Sequence, residues 1–294
     1  MTRTEIGRFT GETARERFLE AYDEAMRLWP DPRSGAEVET SYGTVYVHRY
    51  GPESGEPVVL LHGHGANAST WYPQIEALGE RHPVFAVDTL DDPGRSVQSV
   101  LAAGSEDNAR WLDEALAALD LEDVHLVGHS YGGWLALNQA IHAPGRLASV
   151  SLLDPGGLQK VPRRFYVNLV AGALAMGAPR RFRPRLARLL ANSALVSPPE
   201  LLRPAMLAAR AFRPSARPPA RPFTDEELRS VGVPVLALLA QRSVLLDPVS
   251  AGARLRSLLP SARVEIVPAA GHGLPLEEPR LVNERVLRFV ESGK

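Results

Sequence analysis

Residues 124–133 read VHLVGHSYGG. An apolar, β-branched run from Val124 to Val127 stops at Gly128, and the stretch that follows, YGGWLALNQAIHA (131–143), carries a helical pattern. Ser130 is therefore expected between the carboxyl end of a strand and the start of a helix. Gly128-His129-Ser130-Tyr131-Gly132 is a GxSxG pattern. A serine on a sharp strand-to-helix turn needs neighbours small enough for the turn to close and for a substrate to reach Oγ, which is the physical reason for both glycines. Composition alone gives about 0.1 such matches over a chain like this one, so the flanking strand and helix make the motif specific.

The same alternation continues on both sides. Short apolar runs occur at PVVLLHG (57–63), PVFAVD (83–88), LASVSLLD (147–154), VPVLALLA (233–240) and ARVEIVP (262–268). Helical patterns such as DNARWLDEALAALD (107–120) and LVNERVLRFVES (281–292) lie between or after them. Strands that are apolar throughout, alternating with helices, predict a parallel sheet covered on both faces. TVYVHRY (44–50) alternates instead and fits an antiparallel edge hairpin with the segment around Val38.

Composition removes several classes of chemistry. A chain of 294 residues supports one large core, or a core with a smaller appendage. With no cysteine there is no disulfide framework, thiol nucleophile or cysteine-ligated metal. His62 and His64 lack a carboxylate or cysteine companion at ligand spacing, so no metal site is expected there. The N-terminal stretch MTRTEIGRFTGETARERFLE has no apolar core, and no run of about 18 apolar residues occurs, so neither a signal peptide nor a membrane span is expected. The cytoplasm is the expected location. Monomer and homodimer both remain open.

The near-neutral total charge hides an asymmetry. Residues 155–222 hold thirteen basic side chains and one acidic, Glu200, a net of +12 against −13 for the rest of the chain. The segment also holds 11 of the 25 prolines and reads as short helices broken by prolines rather than strands. An Arg-rich segment over a site could attract an anionic substrate, or it could simply be a helical lid with a solvated Arg face. An anionic membrane surface is a further possibility. Nucleic acid is not expected, since the segment has few aromatics to stack bases and no recognition module.

Acyl transfer at a serine requires oxyanion donors and a base. HGHGANAST (62–70) follows the strand PVVLL and can present a backbone N–H, assigned here to His64 with Gly65 as the alternative, to pair with the N–H of Tyr131. Each such donor is worth about 10²–10³ in rate. Of eight histidines, His48, His125, His82 and His142 read as structural, and strand geometry points His129 away from its neighbour Ser130. His272, in the glycine-flanked loop VPAAGHGLPLEEP (267–279) after the last strand, is the candidate base. Trp71, Tyr72 and Trp134 follow the oxyanion loop and the elbow; they are candidate walls of an acyl pocket, with core packing as the alternative.

The order of these pieces resembles the α/β-hydrolase fold over residues 37–292, and more closely the bacterial carboxylesterases of the naproxen-esterase type. The matching stretches are RLWP (27–30), LLHG with STWYP (69–73), FAVDT, FTDEELRS (223–230) ahead of VPVLALL, and VNERVLRF (282–289). FTDEELRS also carries a capping box, Thr224 with Glu227. The resemblance implies a mostly parallel sheet of about eight strands with helices on both faces. It also implies a core of residues 1–154 and 223–294, with 1–36 a helical extension, and an inserted helical cap at 155–222. The function it implies is that of a cofactor-free serine hydrolase of carboxylic esters with Ser130 and His272 in the triad. Serine rather than aspartate at position 130 argues acyl transfer and against dehalogenase or epoxide-hydrolase chemistry.

One position departs from the pattern. Relatives carry the triad acid where this chain has Ser243, and a serine cannot balance an imidazolium. Asp154, at the end of LASVSLLD, is the first candidate replacement, because some α/β-hydrolases place their acid at that strand end. Its alternative reading is a plain turn residue of Asp-Pro-Gly-Gly. Asp247 is the second candidate, and a chain without a working acid is the third possibility. Ser243 therefore keeps a second function open, a non-hydrolytic relative that binds a ligand or works as a biosynthetic acyltransferase or cyclase.

Overall fold

The structure, a computed structural model, describes residues 6–216 and 220–292. The chain opens with β1 (Arg8–Phe9), α1 (Glu12–Met26), the hairpin β2 (Arg33–Thr40) and β3 (Gly43–Tyr50), then β4 (Val58–Leu61), α2 (Tyr72–Gly79), β5 (Val84–Asp88) and β6 (Val97–Gln98). It continues through α3 (Ser105–Ala118), β7 (Val124–His129), α4 (Tyr131–His142) and β8 (Leu147–Leu153). A helical segment follows, with α5 (Arg163–Ala175), α6 (Arg183–Leu190), α7 (Pro199–Ala211) and the two-residue β9 (Phe212–Arg213). The chain closes with α8 (Asp225–Arg229), β10 (Val235–Ala240), α9 (Pro248–Leu258), β11 (Arg263–Val267), α10 (Leu274–Glu277) and α11 (Pro279–Glu291).

The main sheet has the order β11-β10-β8-β7-β4-β5-β3-β2, with β6 paired to β3. From β11 to β5 every neighbouring pair is parallel; β3 runs antiparallel to β2, β5 and β6. The hairpin register sets Val38 opposite Val45. Strand β2, not β3, is the outer member of this hairpin, and it begins at Arg33, inside the stretch expected to be a helical extension.

Alternate residues of the inner strands feed two separate cores. Val59, Leu61, Val87 and Leu126 join Trp111, Leu112, Leu135 and Leu255 on one face. Val58, Leu60, Val84 and Val127 join Phe18, Tyr22, Ile75, Val286 and Phe289 on the other. Both faces are thus covered, by α3, α4 and α9 on one side and α1, α2 and α11 on the other, and this is why the strands lack a polar face.

The segment after β8 departs from its reading in two ways. Pro204 lies inside α7 without ending it. β9 is a strand, and its pairing with β1 ties the far end of the segment to the N-terminal stretch. The capping box at the start of α8 forms, with Thr224 and Glu227 each accepting the other's backbone N–H.

Helix α1 is anchored by a buried carboxylate. Tyr22 donates its hydroxyl to Asp88, at 2.9 and 3.1 Å from the two carboxylate oxygens, and lies 2.8 Å from His48 Nε2. Asp88 also accepts the N–H groups of Ala68 and Arg95, at 2.9 and 2.8 Å. A hydrogen bond to a buried charge contributes about 1.5–3 kcal/mol. Tyr22→Phe should therefore lower the unfolding free energy by about 2 kcal/mol in urea titration, a loss that a surface change such as Glu16→Gln will not reproduce.

Candidate active site

Five strand ends converge on one place. The residues in question follow β4 (His62 to His64), β7 (Ser130), β8 (Asp154), β10 (Ser243) and β11 (His272), all at carboxyl ends. β4 and β7 are neighbours from which the chain winds in opposite directions, and such a switch point opens a crevice at the strand ends.

Ser130 occupies φ 55°, ψ −113°, outside the regions comfortable for a residue with a side chain. Three hydrogen bonds hold it there. Its N–H donates to the Leu153 carbonyl at 3.1 Å, and its own carbonyl accepts from Trp134 and Gly156 at 3.1 and 2.8 Å. Strain of this kind costs about 1–3 kcal/mol and persists only where the surroundings over-determine it. The flanking glycines are explained by close approach. A Cβ on Gly132 would lie 1.9 Å from the Leu61 carbonyl oxygen, and one on Gly128 would lie 2.2 Å from that of Gly132.

Ser130 Oγ lies 3.0 Å from His272 Nε2, and His272 Nδ1 lies 2.7 Å from Asp154 Oδ2. Asp154 is fully buried and also sits at positive φ. Its Oδ1 accepts the Ala240 N–H at 3.1 Å, and its Oδ2 accepts the Ser243 hydroxyl at 2.7 Å. Ser243 Oγ in turn accepts the N–H groups of Leu245 and Leu246, both at 3.2 Å. The position read as a vacancy thus bonds to the carboxylate that faces His272. Asp247 is elsewhere: it caps α9, accepting from the Ser250 N–H and hydroxyl at 2.8 Å each, and these bonds hold its carboxyl below the usual range. It makes no contact with His272, because the turn after Ser243 runs on into α9 rather than folding back.

Asp92, which sequence reasoning passed over, organises the loop after β4. The buried carboxylate accepts the Gly65 N–H at 2.8 Å and pairs with His64 Nδ1 at 2.8 Å. Gly65 N–H is thus committed to Asp92, which removes it as the alternative oxyanion donor. His62 borders the crevice with both ring nitrogens engaged: Nδ1 donates to the Gly63 carbonyl at 2.9 Å and Nε2 accepts the Thr89 N–H at 3.2 Å. Among the described residues no group of three His, Asp or Glu is arranged to hold a metal ion. The available sign of Asp92 was its place in DTLDDPGRS, just past the end of β5.

The crevice is a cavity of about 400 Å³ bounded by His64, Trp71, Ser130 and His272 on one side and Phe165, Asn168, Leu169 and Ala191 to Ala194 on the other. Among the described residues no arginine or lysine lines it. A larger groove, about 630 Å³, lies beside Pro57 and Pro83 at the amino ends of the strands, so position rather than size identifies the site. Of the three aromatic candidates only Trp71 lines the cavity. Trp134 is stacked between Tyr131 and Phe223, with centroids 5.5 and 5.7 Å away, and donates its indole N–H to the Arg221 carbonyl. Tyr72 starts α2 and packs against the core cluster under that helix. Following the loop in sequence did not mean facing the cavity, because adjacent helical positions point in different directions.

The helical segment meets the loop of His272 directly. A Cβ on Gly273 would lie 1.9 Å from Ser193 Oγ, and the Phe165 ring stands edge-on to the His272 ring at 6.0 Å. From below, His129 Nε2 donates to the His272 carbonyl at 2.7 Å.

Residues 58–285 match the sequence profile of the alpha/beta hydrolase family. The uncharacterized carboxylesterase nap of Bacillus subtilis (strain 168) is 32% identical over 281 residues, which cover 94% of this chain and 93% of that protein. Carboxylesterase YbfK of the same organism is 30% identical over 284 residues, 94% of each chain. The crystal structure of naproxen esterase (carboxylesterase NP) from B. subtilis superposes with a TM-score of 0.83 and 31% identity, covering 95% of this chain and 99% of that one.

Burial, with the neighbouring His272 second, lowers the His129 pKa to about 4. An unfolded histidine titrates near 6.5, so on acidification the unfolded chain takes up this proton first. His129 therefore makes stability rise with pH between about 4 and 6.5 and contributes no slope above that window. The urea midpoint of the wild type should fall across this range on acidification, and the fall should be shallower in His129→Gln, whose amide can still donate to the His272 carbonyl.

Proposed function

The chain belongs to the alpha/beta hydrolase family, and from that premise we propose that it is a serine esterase acting on small-molecule carboxylic esters. The observation that carries the reading is the unbroken relay Ser130 Oγ, His272, Asp154 at 3.0 and 2.7 Å on the wall of an apolar cavity. In the proposed reaction His272 Nε2 takes the Ser130 hydroxyl proton as Oγ attacks the ester carbonyl carbon. The carbonyl oxygen becomes an oxyanion facing the backbone N–H groups of His64 and Tyr131. Collapse breaks the bond to the alcohol, whose oxygen leaves with the proton from His272. Water then gives a proton to His272 and attacks the acyl-serine, and the acid departs as Ser130 recovers its hydrogen.

Asp154 balances the imidazolium in both halves of this cycle and holds Nδ1 protonated, so that Nε2 faces Ser130 as the acceptor. Ser243 positions that carboxylate. With Asp154 beside His272, the non-hydrolytic reading loses the observation that motivated it. Residues 155–222 act as a cap on a core of 1–154 and 223–294, a reading supported by the cavity residues drawn from α5 and from 191–194. The lining among the described residues, without Arg or Lys, favours a neutral, apolar acyl group over an anionic one.

Hydrolysis of a short nitrophenyl ester tests the function. Turnover should vanish in Ser130→Ala, and a fluorophosphonate probe should label Ser130 in the wild type alone. A wild type that binds such esters without turning them over or taking the label would overturn the reading.

The acid assignment has its own test. Asp154→Asn should lower kcat on the order of 10⁴-fold, while Asp247→Asn stays near the wild type. Ser243→Ala should lower kcat about tenfold at unchanged KM, and Ser243→Thr, which keeps the hydroxyl, should restore most of it.

A further inference from the structure

Helix α5 is apolar on two sides. Phe165, Asn168 and Leu169 face the cavity. On the other side Val167 is 68% and Leu174 76% exposed, and Tyr166 and Val170 are exposed with them. Helical spacing sets Arg163, Val167, Val170 and Leu174 in one stripe. Helix α6 packs beside α5, held by the Asn168 side-chain amide on the Leu190 carbonyl, and adds exposed Leu189, with exposed Phe182 in the turn just before it. An ordinary surface helix keeps its polar residues outside; a contiguous exposed apolar face marks an interaction surface.

Several of the segment's arginines have no ion-pair partner among the described residues. In the segment, Arg203 pairs with Glu24 and Arg221 with Glu227, while Arg164 and Arg183 donate to backbone carbonyls. Arg163, Arg180, Arg181 and Arg185 are exposed and make no ion pair among the described residues. These arginines and the apolar stripe belong to the part of the chain that carries the net +12.

We infer that the outer face of α5 and α6 docks on a bilayer that contains anionic lipid. Val167, Val170, Leu174 and Leu189 enter the headgroup region while the arginines meet lipid phosphates, the combination that holds a helix in a membrane interface. Charge complementarity selects this occupant. A symmetric dimer through the same face would press two segments of +12 together. Nucleic acid would answer the arginines but leave the apolar stripe unmatched. Leu169 is 60% exposed and also lines the cavity, so docking brings the cavity rim to the lipid surface. Delivery of bilayer-dissolved esters to Ser130 rests on the esterase reading; the docking does not, because it is measured without turnover.

The test is co-sedimentation of the full chain with phosphatidylcholine vesicles, with and without phosphatidylglycerol, at low and high salt. Binding should require phosphatidylglycerol and weaken with salt. Arg180→Ala/Arg181→Ala should reduce partition about thirtyfold, and Val167→Glu/Leu174→Glu at least as much, while every variant hydrolyses a soluble nitrophenyl ester at the wild-type rate. No binding to anionic vesicles at low salt, or equal binding to neutral ones, would overturn the inference. So would a dimer in sedimentation velocity that Val167→Glu/Leu174→Glu dissolves, or duplex DNA binding without vesicle binding. Loss of ester turnover in the wild type would count against the esterase reading and leave the docking to the vesicles.

Discussion

A fully buried carboxylate with three donors around it is the constraint on which the site depends. A lone charge in that position would be too costly to keep, and breaking a buried pair by removing one partner typically costs about 3–5 kcal/mol. Asp154 avoids this by accepting from the Ala240 N–H, the Ser243 hydroxyl and His272 Nδ1. Those donors come from the end of β10, the turn after it and the loop after β11. One side chain just past the end of β8 therefore holds three other segments in register, and the ring of His272 is oriented as a consequence.

The elbow at Ser130 obeys a second constraint, which is steric. Positive φ at a serine persists because the backbone around it has nowhere else to go: Leu153 and Gly156 grip Ser130 from the neighbouring strand end. The same segment continues into Asp154, itself at positive φ. Nucleophile turn and carboxylate are thus two parts of one backbone arrangement between β7 and β8, joined by hydrogen bonds that no side chain mediates. A substitution that relaxes one turn reaches the other through these bonds.

Much of this is legible in the sequence. Strands apolar at every position announced a sheet covered on both faces, and GxSxG between a strand and a helix located the elbow, because each signal is local and periodic. The carboxylate was legible only as a ranking. Asp154 and Asp247 both lie near the right strand ends, and nothing local says that one turn aims its side chain at His272 while the other caps a helix. Ser243 was read as a gap because a hydroxyl cannot take over a carboxylate's charge; that it bonds to Asp154 depends on two turns 89 positions apart. The stacking of Trp134, the hold of Asp92 on the loop after β4 and the bond from His129 to His272 were not legible for the same reason. Their roles are set by which way a side chain points after distant strands have been brought together.

Helix α1 shows how far such closure extends. Through Tyr22 and Asp88 it is fixed to the Ala68 N–H, and so to the loop after β4 that carries His64. Through β1 and its packing on α7 it is fixed to the far end of the helical segment. The α5 end of that segment is held separately: Arg164 donates to the carbonyls of Val244 and Leu246, in the turn that begins at Ser243. The cavity wall is therefore tied at one end to the loop of His64 and at the other to the turn that supports Asp154. A helix that touches no reacting group still bears on the cavity's dimensions, because the wall opposite Ser130 cannot shift far without straining one of these attachments.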